Sequence, residues 1–163
     1  MILVTVGTHE QPFNRLIRYI DEMKRNGLEE EVIMQIGYST YEPEYCVWKR
    51  FFSYDEMSKL IDNAHIVITH GGPSSFISVL QTGKIPVIVP RQKKYREHIN
   101  NHQVEFCKSV YQRYRNIIVV IDIEKLGVIL NNYETIKQKM GVGGFHHNST
   151  FVKGFITEVE SLV

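Results

Sequence analysis

The sequence predicts an α/β fold, a Rossmann-like doubly wound parallel sheet, in one domain over residues 1–163. Three observations carry that expectation. Short β-branched runs alternate with stretches of helical periodicity, the pattern of a parallel sheet covered by helices on both faces. Two of the runs, Ile66–Thr69 and Ile85–Val89, are almost wholly apolar, as suits strands buried on both sides. Glycines follow strands at Gly7, Gly37 and Gly71-Gly72. A doubly wound sheet gathers such turns along its carboxyl edge, where these sheets bind ligands.

In order, Ile2–Val6 reads as the first strand, ending at Gly7-Thr8-His9. Phe13, Leu16, Ile17 and Ile20 keep helical spacing up to a stop at Asn26-Gly27. Val32–Ile36 is the second strand, followed by a polar, aromatic loop over Tyr38–Tyr45 and a short third strand near Val47–Phe51. Ser53-Tyr54-Asp55-Glu56 has the form of a capping box. It opens a helix with Met57, Leu60, Ile61 and Ala64 inward. After Ile66–Thr69 and its Gly-Gly turn, Ser74 and Ser75 are expected to cap a helix that runs to Thr82 and stops at Gly83. Ile85–Val89 returns as a strand, and residues 91–97 form a charged loop. His98–Val110 reads as a helix, Ile117–Ile121 as a strand, and Asp122 as the cap of a further helix. Residues 141–149 are expected to be a mobile Gly- and His-rich loop, and 150–162 a last amphipathic helix.

Bulk composition narrows the functional classes. The formal net charge of +1 gives no strongly basic face, so no nucleic-acid partner is expected. Cys46 and Cys107 are too few and too far apart for a disulfide framework or a CxxC metal site, and reduced thiols are expected. The chain enters an apolar strand without a cationic leader, and no apolar run approaches the roughly 20 residues of a membrane span. A cytoplasmic protein is therefore expected, reaching a membrane only peripherally or through a partner.

The organising stretch is Ile66–Pro90, IVITHGGPSSFISVLQTGKIPVIVP. Its glycines permit close backbone approach. The following helix would leave unpaired N–H groups and about half a positive charge facing the turn. Together these suit a phosphate, and the alternative is an ordinary tight turn. The loop is neither a Walker P-loop nor GxGxxG. His98 and His102 are four residues apart, a spacing that permits a zinc pair, but HExxH is absent and no third ligand is evident, so no metal is expected. Tyr38, Tyr41, Tyr45 and Trp48 could stack on a sugar, cover a partner, or be ordinary half-buried aromatics. Arg91, Lys93, Lys94 and Arg96 form a basic loop, either a solvated face or a contact for phosphates.

THGGPSSFISVLQTGKIPVIVP, followed by RQKKYREHINNHQ and preceded by VTVGTHEQPF, resembles the donor-binding C-terminal domain of family 28 glycosyltransferases. It is most similar to small galactosyltransferase subunits of exopolysaccharide and capsule assembly, of the PssE and EpsF type. These in turn resemble the small subunit of the two-part N-glycan GlcNAc transferase. The resemblance implies one half of a GT-B architecture and a UDP-sugar donor, UDP-galactose above all. It further implies a lipid-pyrophosphate-linked saccharide acceptor and inverting transfer without metal or other cofactor. The acceptor half would come from a membrane-anchored partner subunit at the inner face of the membrane. Donor contacts are implied at Gly7, Thr8, His70, Gly71, Gly72, Pro73, Ser74, Ser75, Arg91, His102 and Gln103, with His9 and His70 as catalytic candidates unless the partner supplies the base. Ser78 stands where the family carries a carboxylate for the ribose hydroxyls. Glu97 is the candidate to replace it. The alternative function is a non-catalytic donor-binding or stimulatory subunit. A dinucleotide oxidoreductase is disfavoured, because VGTHEQPF lacks GxGxxG.

Overall fold

The computed structural model describes residues 1–144. Six strands form one parallel sheet: β1 (Ile2–Thr5), β2 (Val32–Gln35), β3 (Val47–Lys49), β4 (Ile66–Thr69), β5 (Val87–Ile88) and β6 (Ile118–Val119). The order is β3-β2-β1-β4-β5-β6, with every pairing parallel. The connections reverse direction between β1 and β4, which makes that gap the switch point where doubly wound sheets bind ligands. Six helices connect or flank the strands: α1 (Asn14–Arg25), α2 (Tyr54–Asn63), α3 (Pro73–Gln81), α4 (His102–Tyr114), α5 (Leu126–Asn131) and α6 (Tyr133–Gly144).

The apolar character of β1 follows from burial on both faces. Ile2 and Val4 join one core with Leu16, Ile17 and Ile20 of α1 and with Leu126 and Leu130 of α5. Leu3, between them, points the other way and packs with Ile61, Val67 and Val79. A third cluster of Phe76, Leu80, Ile88, Cys107 and Val110 seats α3 and α4 on the same side of the sheet as α2. Cys46 and Cys107 are free and buried. Among the described residues no helix is long and apolar enough to cross a membrane.

The capping box forms as its sequence predicts. Ser53 Oγ accepts from the Glu56 N–H at 3.2 Å, and the Glu56 carboxylate accepts from the Ser53 N–H at 2.7 Å. Three other expectations are corrected. Gly72, not a serine, is the N-cap of α3, because Pro73 takes the first helical position, where its missing N–H costs nothing. Ser74 and Ser75 lie inside the first turn. α4 begins at His102, so His98 lies outside the helix and the two histidines share no helical face. α6 continues over Gly141–Gly144, the first residues of the expected loop. The rest of that loop and the last amphipathic helix lie outside the described residues.

The basic loop is split by burial. Lys93, Lys94 and Arg96 are exposed, but Arg91 is 0% exposed. Its guanidinium donates to the carbonyls of Gln11 at 2.7 Å, Glu97 at 3.1 Å and Val6 at 2.9 Å. Glu97, 2% exposed, accepts from Arg15 Nε at 2.8 Å and Nη2 at 2.9 Å and from the Gln92 N–H at 3.0 Å. These two buried charges tie the loop after β5 to α1 and to the end of β1. Neither side chain lines the cleft described below, and Arg91 Nε is left without a partner among the described residues.

Candidate functional site

A cleft of about 650 Å³ opens at the carboxyl edge of β1, β2 and β4, within the size range of small-molecule sites. β1 and its turn contribute Thr5, Gly7, Thr8 and His9, β2 contributes Gln35, and the approach to α2 contributes Phe52, Ser53, Tyr54, Met57 and Ile61. The turn after β4 and α3 contribute His70, Ser74, Ser75 and Ser78, and α4 contributes Gln103. Among the described residues no lining side chain carries a fixed charge. Part of the lining is apolar and aromatic (Phe52, Tyr54, Met57, Ile61). Hydroxyls line one face of α3, because Ser74 and Ser78 are one turn apart, and Ser78 also borders a smaller pocket together with Tyr54, Met57 and Ile61. Among the described residues no group of three or more His, Cys, Asp or Glu is placed to hold a metal ion.

The glycine turns do something different from what their sequence suggests. The Gly7 N–H donates to Thr5 Oγ1 at 3.2 Å, the Gly71 N–H to Gln103 Oε1 at 3.0 Å, and the Gly72 N–H to His70 Nδ1 at 3.0 Å. Three donors expected for a phosphate are thus already partnered. The N–H groups of Thr8, His9 and Ser74 have no partner among the described residues. Space is used in the same way. A Cβ on Gly7 would lie 2.3 Å from His70 Nε2, one on Gly72 2.1 Å from His70 Cε1, and one on Gly71 2.8 Å from Gln103 Cβ. The glycines make room for His70 and Gln103, and Gly7 also needs its φ of +72°.

Around these turns runs a polar lattice. Gln35 Nε2 donates to Thr5 Oγ1 at 3.1 Å, while Gln35 Oε1 accepts the Phe52 N–H at 2.9 Å. Gln103 Oε1 accepts a second N–H, from Arg91, at 3.0 Å, which joins the turns after β4 and β5. His70 lies with Nε2 2.9 Å from Ser75 Oγ. Burial, reinforced by the charge of Arg91, pushes its pKa down to about 4. His9 stacks on His98 with ring centres 5.0 Å apart, and its Nε2 is 2.9 Å from Gln11 Oε1. Ser78 Oγ donates back to the Ser74 carbonyl at 2.9 Å.

Of the residues the sequence singled out, Gly7, Thr8, His9, His70, Ser74, Ser75, Ser78 and Gln103 line the cleft. Gly71, Gly72 and Pro73 shape the turn without lining it. His102 is exposed at the start of α4, outside the cleft. Arg91 and Glu97 are the buried structural charges described above, so Glu97 does not replace the missing carboxylate. Gly37 adjoins Gly7, since a Cβ there would lie 2.9 Å from the Gly7 carbonyl, but it does not line the cleft. Tyr41 donates to Asp21 at 2.7 Å and Trp48 to the Pro43 carbonyl at 2.9 Å, so both brace the 38–45 loop. Sequence reasoning missed Thr5, Gln35, Phe52, Ser53, Tyr54, Met57 and Ile61. The capping box held the available signal, because it places the start of α2 after β3, at the same ligand-binding edge.

Residues 1–137 match the glycosyltransferase family 28 C-terminal domain. The chain is 28% identical over 145 residues to the UDP-N-acetylglucosamine transferase subunit ALG13 of Yarrowia lipolytica, covering 79% of this chain and 69% of that one. It is 32% identical over 125 residues to the subunit of the same name from Homo sapiens, covering 68% of this chain but 10% of the human one. Among solved structures it is similar to the glycotransferase of kitacinnamycin, with a TM-score of 0.57 and 14% identity over 93% of this chain and 42% of the other. The glycosyltransferase SnogD from Streptomyces nogalater gives a TM-score of 0.52 and 13% identity over 93% and 43%. The chain thus spans less than half of each solved structure, the proportion expected for one half of a GT-B enzyme.

Proposed function

The chain belongs to the glycosyltransferase family 28 C-terminal domains, and from that premise we propose that it is the donor-binding subunit of a UDP-sugar-dependent glycosyltransferase. The observation that carries the reading is the mixed lining of the cleft at the switch point. Its apolar residues (Phe52, Tyr54, Met57, Ile61) suit a flat base. The start of α3 and the turn after β1 offer the Ser74 and Ser75 hydroxyls and the unpartnered N–H groups of Thr8, His9 and Ser74 to a diphosphate. The dipole of α3 adds to that part of the cleft. The donor is a UDP-sugar. The name of the relatives favours UDP-N-acetylglucosamine, whereas the exopolysaccharide resemblance favours UDP-galactose.

Transfer is inverting. The acceptor hydroxyl attacks the anomeric carbon, the bond to the UDP oxygen breaks, and UDP leaves with the electron pair. The N–H groups and hydroxyls of the cleft stabilise that developing charge without a metal. A base takes the hydroxyl proton. His70 is unsuited, because the Gly72 N–H occupies the lone pair on Nδ1. His9 is the better candidate. The Gln11 amide oxygen accepts from its Nε2, which leaves Nδ1 unprotonated. The acceptor is a lipid-pyrophosphate-linked saccharide, held by a membrane-anchored partner subunit at the cytoplasmic face. The relatives are themselves named as subunits.

A second reading has its own observation. Among the described residues no carboxylate lines the cleft, and Ser78 stands where the resemblance expects the ribose carboxylate, which favours a subunit that binds donor or stimulates a partner without turning it over. The test is transfer from a panel of UDP-sugars by the purified chain, by membranes carrying the partner, and by both together, with and without a chelator. Transfer only in the combination, surviving chelation and reduced by His9→Ala, supports the catalytic reading. Undiminished transfer by His9→Ala favours a base on the partner.

A further inference from the structure

His70 sits between two turns of the cleft, and its hydrogen bonds leave one arrangement of protons. The Gly72 N–H can only donate, so Nδ1, at 3.0 Å, accepts. The single proton of a neutral imidazole is then on Nε2, which lies 2.9 Å from Ser75 Oγ. Ser75 Oγ accepts the hydrogen bond from that N–H, so its own hydrogen must turn elsewhere. Ser75 lines the cleft. Ser78, on the same helix, shows the contrast. Its hydroxyl donates to the Ser74 carbonyl and is tied to the helix. No such bond to the Gly71 carbonyl is made by Ser75, whose oxygen lies against the His70 ring instead.

We propose that His70 is a positioning residue of the donor site, which by donating from Nε2 to Ser75 Oγ turns the Ser75 hydroxyl hydrogen toward the donor diphosphate. This rests on reading the cleft as a UDP site. The ring has little freedom to do otherwise, because a Cβ on Gly7 or Gly72 would collide with it at 2.3 and 2.1 Å. Its neutrality is also built in. Burial and the Arg91 charge hold it neutral, Gln103 opposes them, and His9 and His98 would repel a second cation. Protonation would put an Nδ1–H against the Gly72 N–H and break the turn. Acid should therefore loosen a donor held through Ser75. A cationic His70 touching the diphosphate directly would instead hold it more tightly in acid.

Calorimetric titration with UDP separates these cases. Ser75→Ala should weaken binding roughly tenfold, the loss of one hydrogen bond to a charged group. His70→Asn keeps an acceptor for the Gly72 N–H but loses the donor to Ser75, and should weaken binding by a similar factor. His70→Gln offers an amide N–H near the place of Nε2 and should retain most of the affinity. The double variant His70→Asn/Ser75→Ala should bind no more weakly than the weaker single variant, because both changes remove one interaction. From about pH 7 to about pH 5 the affinity ratio of the natural protein to His70→Gln should stay flat or fall, the ligand's own ionisation cancelling. Losses that multiply in the double variant, or a ratio that rises in acid, would overturn the proposal. Imidazole nitrogen shifts of the unaltered protein read the tautomer without any substitution, and a proton on Nδ1 would overturn it too. A folded natural protein that binds no UDP would overturn the site reading along with it. Multiplicative losses overturn the inference alone.

Discussion

If the proposed donor lies with its ribose beside Ser78, Ser78→Glu supplies a carboxylate there, and the cleft geometry sets what it should do. Ser78 is exposed on the cleft face of α3, and its hydroxyl returns to the Ser74 carbonyl. Losing that back-bond costs little, since the carbonyl stays accessible and such bonds slightly destabilise helices. A glutamate there could accept two charge-assisted hydrogen bonds from ribose hydroxyls, each worth about 1.5 kcal/mol at the low end. Ordering the side chain costs up to about 2 kcal/mol. The net gain is about 1 kcal/mol, or about fivefold tighter UDP binding. Calorimetry should find that gain for UDP and none for inorganic pyrophosphate, which has no ribose. An unchanged or weaker affinity in a folded variant would refute the placement of the ribose beside Ser78.

Three further outcomes are expected. Gly72→Ala puts a Cβ 2.1 Å from His70 Cε1, and urea unfolding should show a loss of about 1–3 kcal/mol from overpacking; an unchanged midpoint would contradict the ring's position. Asp21→Asn should loosen the 38–45 loop, because the fully buried carboxylate accepts from Tyr41 Oη and from the Glu44 and Tyr45 N–H groups at 2.7–3.0 Å. Limited proteolysis should cut that loop faster, and equal rates would contradict its role as the clamp. The hydrogen bonds to Glu134 and Glu30 raise the pKa of His65 above its ordinary 6.5, so the stability it contributes is fully present below pH 6.5 and is lost as pH rises through the raised value. His65→Gln should flatten the Tm profile in that window, and an identical slope would contradict the linkage.

The sheet was legible because β1 and β4 are buried on both faces, which forces unbroken runs of Val, Ile and Leu. The capping box was legible because it is local: Ser53 and Glu56 satisfy each other three residues apart. The start of α4 was not, because residues 98–101 are apolar and polar in helical proportion, yet Asn100 and Asn101 bond locally to the His102 and Lys93 N–H groups. Arg91 and Glu97 misled for a related reason. Within a charged loop nothing marks which charges are buried, and their partners, Arg15 and the carbonyls of Val6 and Gln11, come from the far end of the chain. The glycine turns were placed at the right edge and given the wrong work. Their role depends on the side chains of His70 and Gln103, which sequence spacing does not bring together.

The claim that the cleft between the turns of β1 and β4 holds a UDP-sugar donor is tested most directly by amide-shift mapping during UDP titration of the unaltered chain. The account predicts the largest shifts at Thr8, His9, Ser74 and Ser75, with a second set at Phe52, Ser53 and Tyr54 where the base would lie. Shifts confined to α5 and α6 on the opposite face, or none at millimolar UDP, would contradict it.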